Sequence, residues 1–502
     1  MSAEPVAADT EDGPHPPDAP QPGAAPRASD SGAGPRGWSA LRPLVLRLHF
    51  YAGVLVAPFL LVAAVTGLLY AGSLQAEEIV YDHELRVPAG KSELPLSQQI
   101  AAAREAHPEG EIDAIRPSPE AGATTRVLLS GVKGVDPEHK LAVFVDPYTG
   151  KVRGALEQYG TSGALPLRTW IDDLHRNLHL GDTGRLYSEL AASWLWVITG
   201  GGLVLWIARR RKGPAKRKLR ATALPDRSAT GRRRTMSFHG SVGVWAALGL
   251  FFLSATGLTW STYAGANVTD LRASLGQATP AVSSAVGGEH AGHGSMEGME
   301  GMEGMDMGGS SGKGGESADV GVDAVLKAAR AEGLGNPVEI VPPAGPGAAY
   351  TVSQIQRSWP EKQDAAAVDP ATGQVTDVVR FADYPLLAKL SRWGVDAHMG
   401  SLFGLPNQIA LAALALALIF LIVWGYRMWW QRGRAGAFGR PIPRGAWRQV
   451  PSYVLAVLTA VVAVLGYYLP LLGIPLAAFL VIDLALGRLA DRRGKRTQTA
   501  GG

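Results

Sequence analysis

RLHFYAGVLVAPFLLVAAVTGL, residues 47–68, is apolar enough to enter a bilayer, and it has a twin in SFHGSVGVWAALGLFFLSATGL, residues 237–258. In each copy sixteen residues separate a histidine, His49 or His239, from a Thr-Gly-Leu triplet at 66–68 or 256–258. A second block repeats as well. Asp146-Pro-x-Thr-Gly150, Trp170-x-x-Asp173-x-His175 and Trp206 return as Asp369-Pro-x-Thr-Gly373, Trp393-x-x-Asp396-x-His398 and Trp429 with unchanged internal spacing. Two copies of one unit therefore place four histidines on four helices, the ligand count that two transmembrane haems require.

The chain has 502 residues, 46% of them apolar, and its apolar residues gather into long runs separated by polar segments. Six runs, roughly 44–70, 187–208, 239–261, 405–430, 450–468 and 471–487, reach or approach the length that crosses about 30 Å of hydrocarbon. Lys and Arg then orient them. The 209–234 loop is dense in both, with Asp226 as its sole acid, and 432–448 carries Arg432, Arg434, Arg440, Arg444 and Arg448 with no acid. The positive-inside rule puts both loops, and hence both termini, in the cytoplasm of an inner-membrane, multi-pass protein. A net charge of +4 reflects that orientation, and cations confined to helix ends argue against nucleic acid as a partner. Membrane lipid is the expected surrounding.

The chain has no cysteine. That excludes disulfides, thiolate catalysis, Cys-ligated iron–sulfur clusters and covalent haem attachment, so the expected cofactors are two haem b, held by side-chain ligation and packing.

The expected fold is an α-helical membrane protein of duplicated two-helix units, with two small α+β extracytoplasmic domains and an extra C-terminal helical hairpin. Its order is a disordered cytoplasmic tail (1–40), TM1 (41–71), a first outer domain (72–169), an outer-histidine helix with TM2 (170–208), and a basic loop (209–236). TM3 (237–262), a second outer domain (263–392), a second outer-histidine helix with TM4 (393–432), a TM5–TM6 hairpin (449–487) and a tail (488–502) follow. A helix at 95–107 with Leu96, Ile100 and Ala103 on one face, and strands at 126–129 and 141–145, outline the first outer domain. A helix near 322–332 and a strand at 349–353 outline the second. His49 to Asp146 spans 97 positions and His239 to Asp369 spans 130, so the second copy has 33 extra residues. Much of that surplus is the Met/His-rich run inside 289–307. Both copies enter from the same side, as parallel repeats do.

Matched depth pairs His49 with His239 at the inner leaflet and His175 with His398 at the outer one. Each histidine alone also reads as an ordinary interfacial polar group. His179, one turn beyond His175 if the helix continues, shares its face and is open as an alternative ligand, a neighbour of the ligand or a substrate-facing residue. Gly53 and Gly243 give clearance for a flat macrocycle or for plain helix packing. Arg47, Arg176 and Arg168 are cations placed to meet haem propionates. Asp173 and Asp396 either orient an imidazole or cap a helix. In the insert, His290 and His293 precede Met296, Met299, Met302, Met305 and Met307; thioethers suit Cu(I) and imidazoles Cu(II), and an inert linker is the alternative.

These motifs resemble the PepSY-associated transmembrane family, which includes di-haem inner-membrane reductases of iron–siderophore complexes. The resemblance covers about 41–432, from ArgLeuHis49PheTyrAlaGly53 and AspLeuHis175ArgAsnLeuHisLeuGly181 through PheHis239GlySerValGly243 to AspAlaHis398MetGlySerLeuPheGly404. It implies PepSY-like outer domains and bis-histidine haems, and hence a metalloreductase that takes electrons from quinol or a cytoplasmic donor and reduces a ferric siderophore. The Met/His insert departs from that pattern and opens Cu(II) as an acceptor. Two other readings remain: a non-enzymatic, membrane-anchored PepSY module that binds a peptidase or envelope partner, and a transporter built on the parallel repeats.

Overall fold

The computed structural model describes residues 38–210, 224–286, 319–432 and 451–499. The tail expected at 1–40 (all but its last three residues), residues 211–223 of the basic loop, the loop after Arg432, and the insert with His290, His293 and its five methionines lie outside the described residues.

The expected first crossing is two helices, α1 (Trp38–Leu55) and α2 (Ala57–Val80). Pro58 causes the break: it has no N–H to give Val54 four residues back, and the freed Val54 carbonyl accepts the Tyr426 hydroxyl at 2.9 Å. α2 then runs nine residues past position 71, the end expected for the first crossing. Its last turn is fixed by buried Glu77, which takes Arg168 through two 3.1 Å bonds and the Leu165 amide at 2.8 Å. A paired and hydrogen-bonded carboxylate is one that can stay covered.

Beyond a short α3 (Asp82–Leu85) come α4 (Leu96–Ala106), strands β1 (Glu111–Arg116), β2 (Thr125–Ser130), β3 (His139–Val145) and β4 (Val152–Tyr159), then α5 (Pro166–Arg176) and α6 (Gly181–Arg210). The second half runs α7 (Gly231–Leu258), α8 (Thr262–Ser274), α9 (Val322–Ala331), β5 (Val338–Val341), β6 (Tyr350–Gln354), β7 (Ala365–Val368), β8 (Val375–Val379), α10 (Leu386–Met399) and α11 (Leu405–Trp430). A final pair, α12 (Ser452–Tyr468) and α13 (Pro470–Thr499), closes the chain. Among the described residues, α2, α6, α7, α11 and α13 are long and apolar enough to cross a membrane, and α12 is a shorter apolar helix. The chain is a multi-pass helical membrane protein. α6 lies along α7, α2 along α11, and α7 along α11, so the two halves interlock.

The two outer domains are not separate. All eight strands form one antiparallel sheet in the order β4-β3-β2-β1-β5-β6-β7-β8, joined where Ile115 of β1 faces Ile340 of β5. Each half alone would end in a bare strand edge, and joining the edges satisfies both. Arg116 meets Glu339 at 2.6 Å across the seam, and Asp323 of α9 accepts the Leu96 amide at the start of α4. Leu96 and Ile115 share one core with Val325, Leu334 and Ile340. The twice-used Asp-Pro-x-Thr-Gly motif is a hairpin device. Asp146 accepts from Tyr148 N and Thr149 Oγ1, Asp369 from Ala371 N and Thr372 Oγ1, and Gly150 and Gly373 take φ of +71° and +69°, which only glycine adopts freely.

Candidate functional site

At the end of the bundle beneath the sheet, His175 near the C-terminus of α5 and His398 near that of α10 line one cavity of about 280 Å³. Each imidazole is held the same way. His175 Nδ1 lies 2.9 Å from Thr66 Oγ1 and His398 Nδ1 lies 2.6 Å from Thr256 Oγ1. Both hydroxyls spend their own proton on backbone carbonyls one turn back, Val62 at 2.9 Å and Phe252 at 2.7 Å. With its proton so used each oxygen is left to accept, an arrangement that suits an imidazole proton on Nδ1 and a free lone pair on Nε2. The glycine that follows makes room for His175, since a Cβ on Gly67 would come within 3.1 Å of its Cε1, whereas one on Gly257 would meet His398 Cε1 in ordinary contact at 3.8 Å. The repeated Thr-Gly pair is thus the seat of the histidine in its own half. Trp260 meets the His398 ring edge-on at 5.5 Å.

Toward the opposite, basic end, His49 of α1 and His239 of α7 form a second pair within electrostatic range of each other. Their Nδ1 atoms face backbone carbonyls, Ile198 at 2.9 Å and Leu421 at 3.1 Å. A carbonyl can only accept, so these rings too carry their proton on Nδ1 and offer Nε2. Here the close glycines are Gly202, whose Cβ would sit 3.2 Å from His49 Cε1, and Gly425, at 3.9 Å from His239 Cε1. Gly202 and Gly425 each lie four residues before the repeated tryptophans, Trp206 and Trp429, so extending the repeat comparison by one turn would have found them.

Other expected residues lie elsewhere. Gly53 has nothing within 4 Å of where its Cβ would be, and Gly243 only Leu421 at 3.6 Å; neither crowds a histidine. Arg47 does not face the cavity beside His175. It is buried and paired with Asp483 of α13 at 2.7 Å. Arg168 is committed to Glu77. Arg176 does line that cavity, with its guanidinium 5.2 Å above the Tyr159 ring. His179 does not share the face of His175, because α5 ends at Arg176 and both Leu178 and His179 take positive φ. The exposed His179 ring instead lies 5.1 Å from Trp170.

Asp173 and Asp396 touch no imidazole. Asp396 is wholly buried, 3.0 Å from Arg357 and 3.3 Å from Arg392, and Arg357 also reaches Thr161 Oγ1 at 2.7 Å, tying the two halves together above the cavity. Beside them Glu361, its side chain fully covered, meets Arg392 at 2.8 Å. Burial first, then the neighbouring Asp396, pushes the Glu361 carboxyl up to about 8 against the pull of Arg392. The folded state therefore holds a proton that the unfolded chain releases above its ordinary 4.5, so stability falls as pH rises through that window. Glu361→Gln, which keeps the neutral shape, is expected to flatten the fall of the thermal midpoint between pH 5 and 8; an unchanged slope would assign it to another group.

The donor set suits haem. Four neutral imidazoles with Nδ1 engaged present four Nε2 lone pairs in two pairs, and one pair lines a cavity with apolar walls such as Leu60, Leu195 and Leu414 and with Arg176, Arg185 and Arg357 at its polar side. A family model described as PepSY-associated TM region matches residues 46–432. Among curated proteins nothing matches the chain.

Proposed function

Because the chain belongs to the PepSY-associated TM region family, we propose that this multi-pass membrane protein is a di-haem b electron conduit of the inner membrane. It takes electrons from quinol or a cytoplasmic donor and reduces a ferric siderophore or Cu(II) on the sheet side. In this reading the two halves are copies of one unit, each contributing one histidine to each pair. The sheet faces the outside, and both termini lie in the cytoplasm.

The observation that carries the proposal is the state of the four imidazoles. An interfacial histidine has no need of an acceptor aimed at Nδ1, yet all four have one, and at Gly67 and Gly202 a Cβ would crowd the imidazole as well. His175 with His398 and His49 with His239 would hold the haems, and bound haem would supply an iron couple that passes single electrons. The chain's own residues do the rest. The threonines and carbonyls fix tautomer and ring plane, the apolar walls exclude water, and Arg176 and Arg185 offer charge to the propionates. On the basic side an apolar groove between α7 and α11, with Leu224, Phe238, Val242 and Ala417 among its lining, begins one residue from His239 and favours a lipid-soluble donor.

Purified protein tests the reading. A reduced b-type spectrum with two haems per chain is the expected result, and dye-linked reduction of an external ferric chelate or Cu(II) by sided vesicles should follow. A colourless, folded preparation would return the chain to the anchored-module or transporter readings.

A further inference from the structure

We infer that the acceptors facing the four Nδ1–H groups give the two centres different potentials, the sheet-side centre having the higher one. This rests on the haem reading and adds to it an ordering of the two centres. The four histidines share burial and tautomer, but their acceptors differ by pair. At the basic end they are amide carbonyls, Ile198 O and Leu421 O; beneath the sheet they are alcohol oxygens, Thr66 Oγ1 and Thr256 Oγ1.

An amide carbonyl is a stronger acceptor than an alcohol. The harder an acceptor pulls on Nδ1–H, the more electron density reaches Nε2, and the more the oxidised iron is favoured over the reduced. Each threonine is polarised by its own donation to Val62 or Phe252, a cooperative gain of roughly 10–30% that narrows the gap without reversing it. The basic-end centre would therefore have the lower potential and the sheet-side centre the higher, an order that suits single electrons entering at the basic end with no bond made or broken. The entering electron comes from the quinol or cytoplasmic reductant already proposed.

Thr66 and Thr256 are positioning residues in this scheme, and the readout is the midpoint potential followed by visible spectroscopy in the holoprotein. Two waves are expected. Thr66→Val with Thr256→Val removes the acceptors at nearly constant shape and should raise the higher wave while leaving the lower one fixed. Thr66→Asn with Thr256→Asn, which offers an amide carbonyl, should lower the higher wave toward the other. Thr66→Ser with Thr256→Ser should restore the wild-type value. If the valine pair loses a haem, the serine and asparagine pairs still decide the matter. Two retained haems whose higher wave fails to move, or whose lower wave moves instead, would overturn the inference and leave the haem reading standing. A preparation with no haem would overturn both.

Discussion

Replacing His175 and His398 together by alanine is expected to leave a folded protein with one haem b per chain in place of two. Replacing His49 and His239 should remove the other. The effect is expected to be large because, on the proposed pairing, each double substitution would delete both ligands of one centre and neither ligand of the other. His175 and His398 line a single cavity and sit on separate Thr-Gly seats, whereas His49 and His239 rest on α6 and α11. Haem content and low-spin absorbance in detergent are the measurements. His179→Ala should keep both haems, since its ring is exposed beside Trp170. Loss of a haem in that variant, with both retained after removal of His175 and His398, would transfer the sheet-side ligation to His179.

The helices and histidines were legible because membrane length and a duplicated pattern are strong one-dimensional signals. α4, β2, β3 and β6 were also visible as periodic runs. Strands β1, β5 and β7 were not. β7 is AlaAlaAlaVal, fully buried yet built from a residue with little strand preference, and only its place between β6 and β8 makes it extended. β1 and β5 are short, and each becomes an interior strand through the other, a contact across more than two hundred residues that no local pattern carries. The same limit applies to the site. The Thr-Gly-Leu triplet was visible only as a marker of the repeat, whereas its threonine holds an imidazole more than a hundred residues away. Arg47, expected beside a propionate, is paired with Asp483, which belongs to a hairpin that shows no sign of the repeat.

That hairpin yields the second large effect. Asp483→Ala is expected to cost about 3–5 kcal/mol, the usual penalty for removing one member of a buried ion pair. Both side chains are nearly covered, in a helix that would otherwise have no reason to bear a charge among lipids. The damage should spread to the basic-end histidines. Arg47 precedes His49 by two residues on α1, and α13 also places Leu472 and Leu476 in the core shared with Ala52, Val56 and Trp194. Haem loss from that pair should therefore accompany the drop in thermal midpoint, with the sheet-side haem retained. Arg47→Met combined with Asp483→Leu, which removes both charges at similar volume, should recover most of the stability, because replacing a buried pair by apolar groups is often neutral or stabilising. If Asp483→Ala melts like the unaltered protein and keeps both haems, the last two helices only cover the bundle. If the double replacement rescues what the single one destroys, the hairpin holds the helix that carries His49 in place and belongs to the machinery, although it lies outside the repeat.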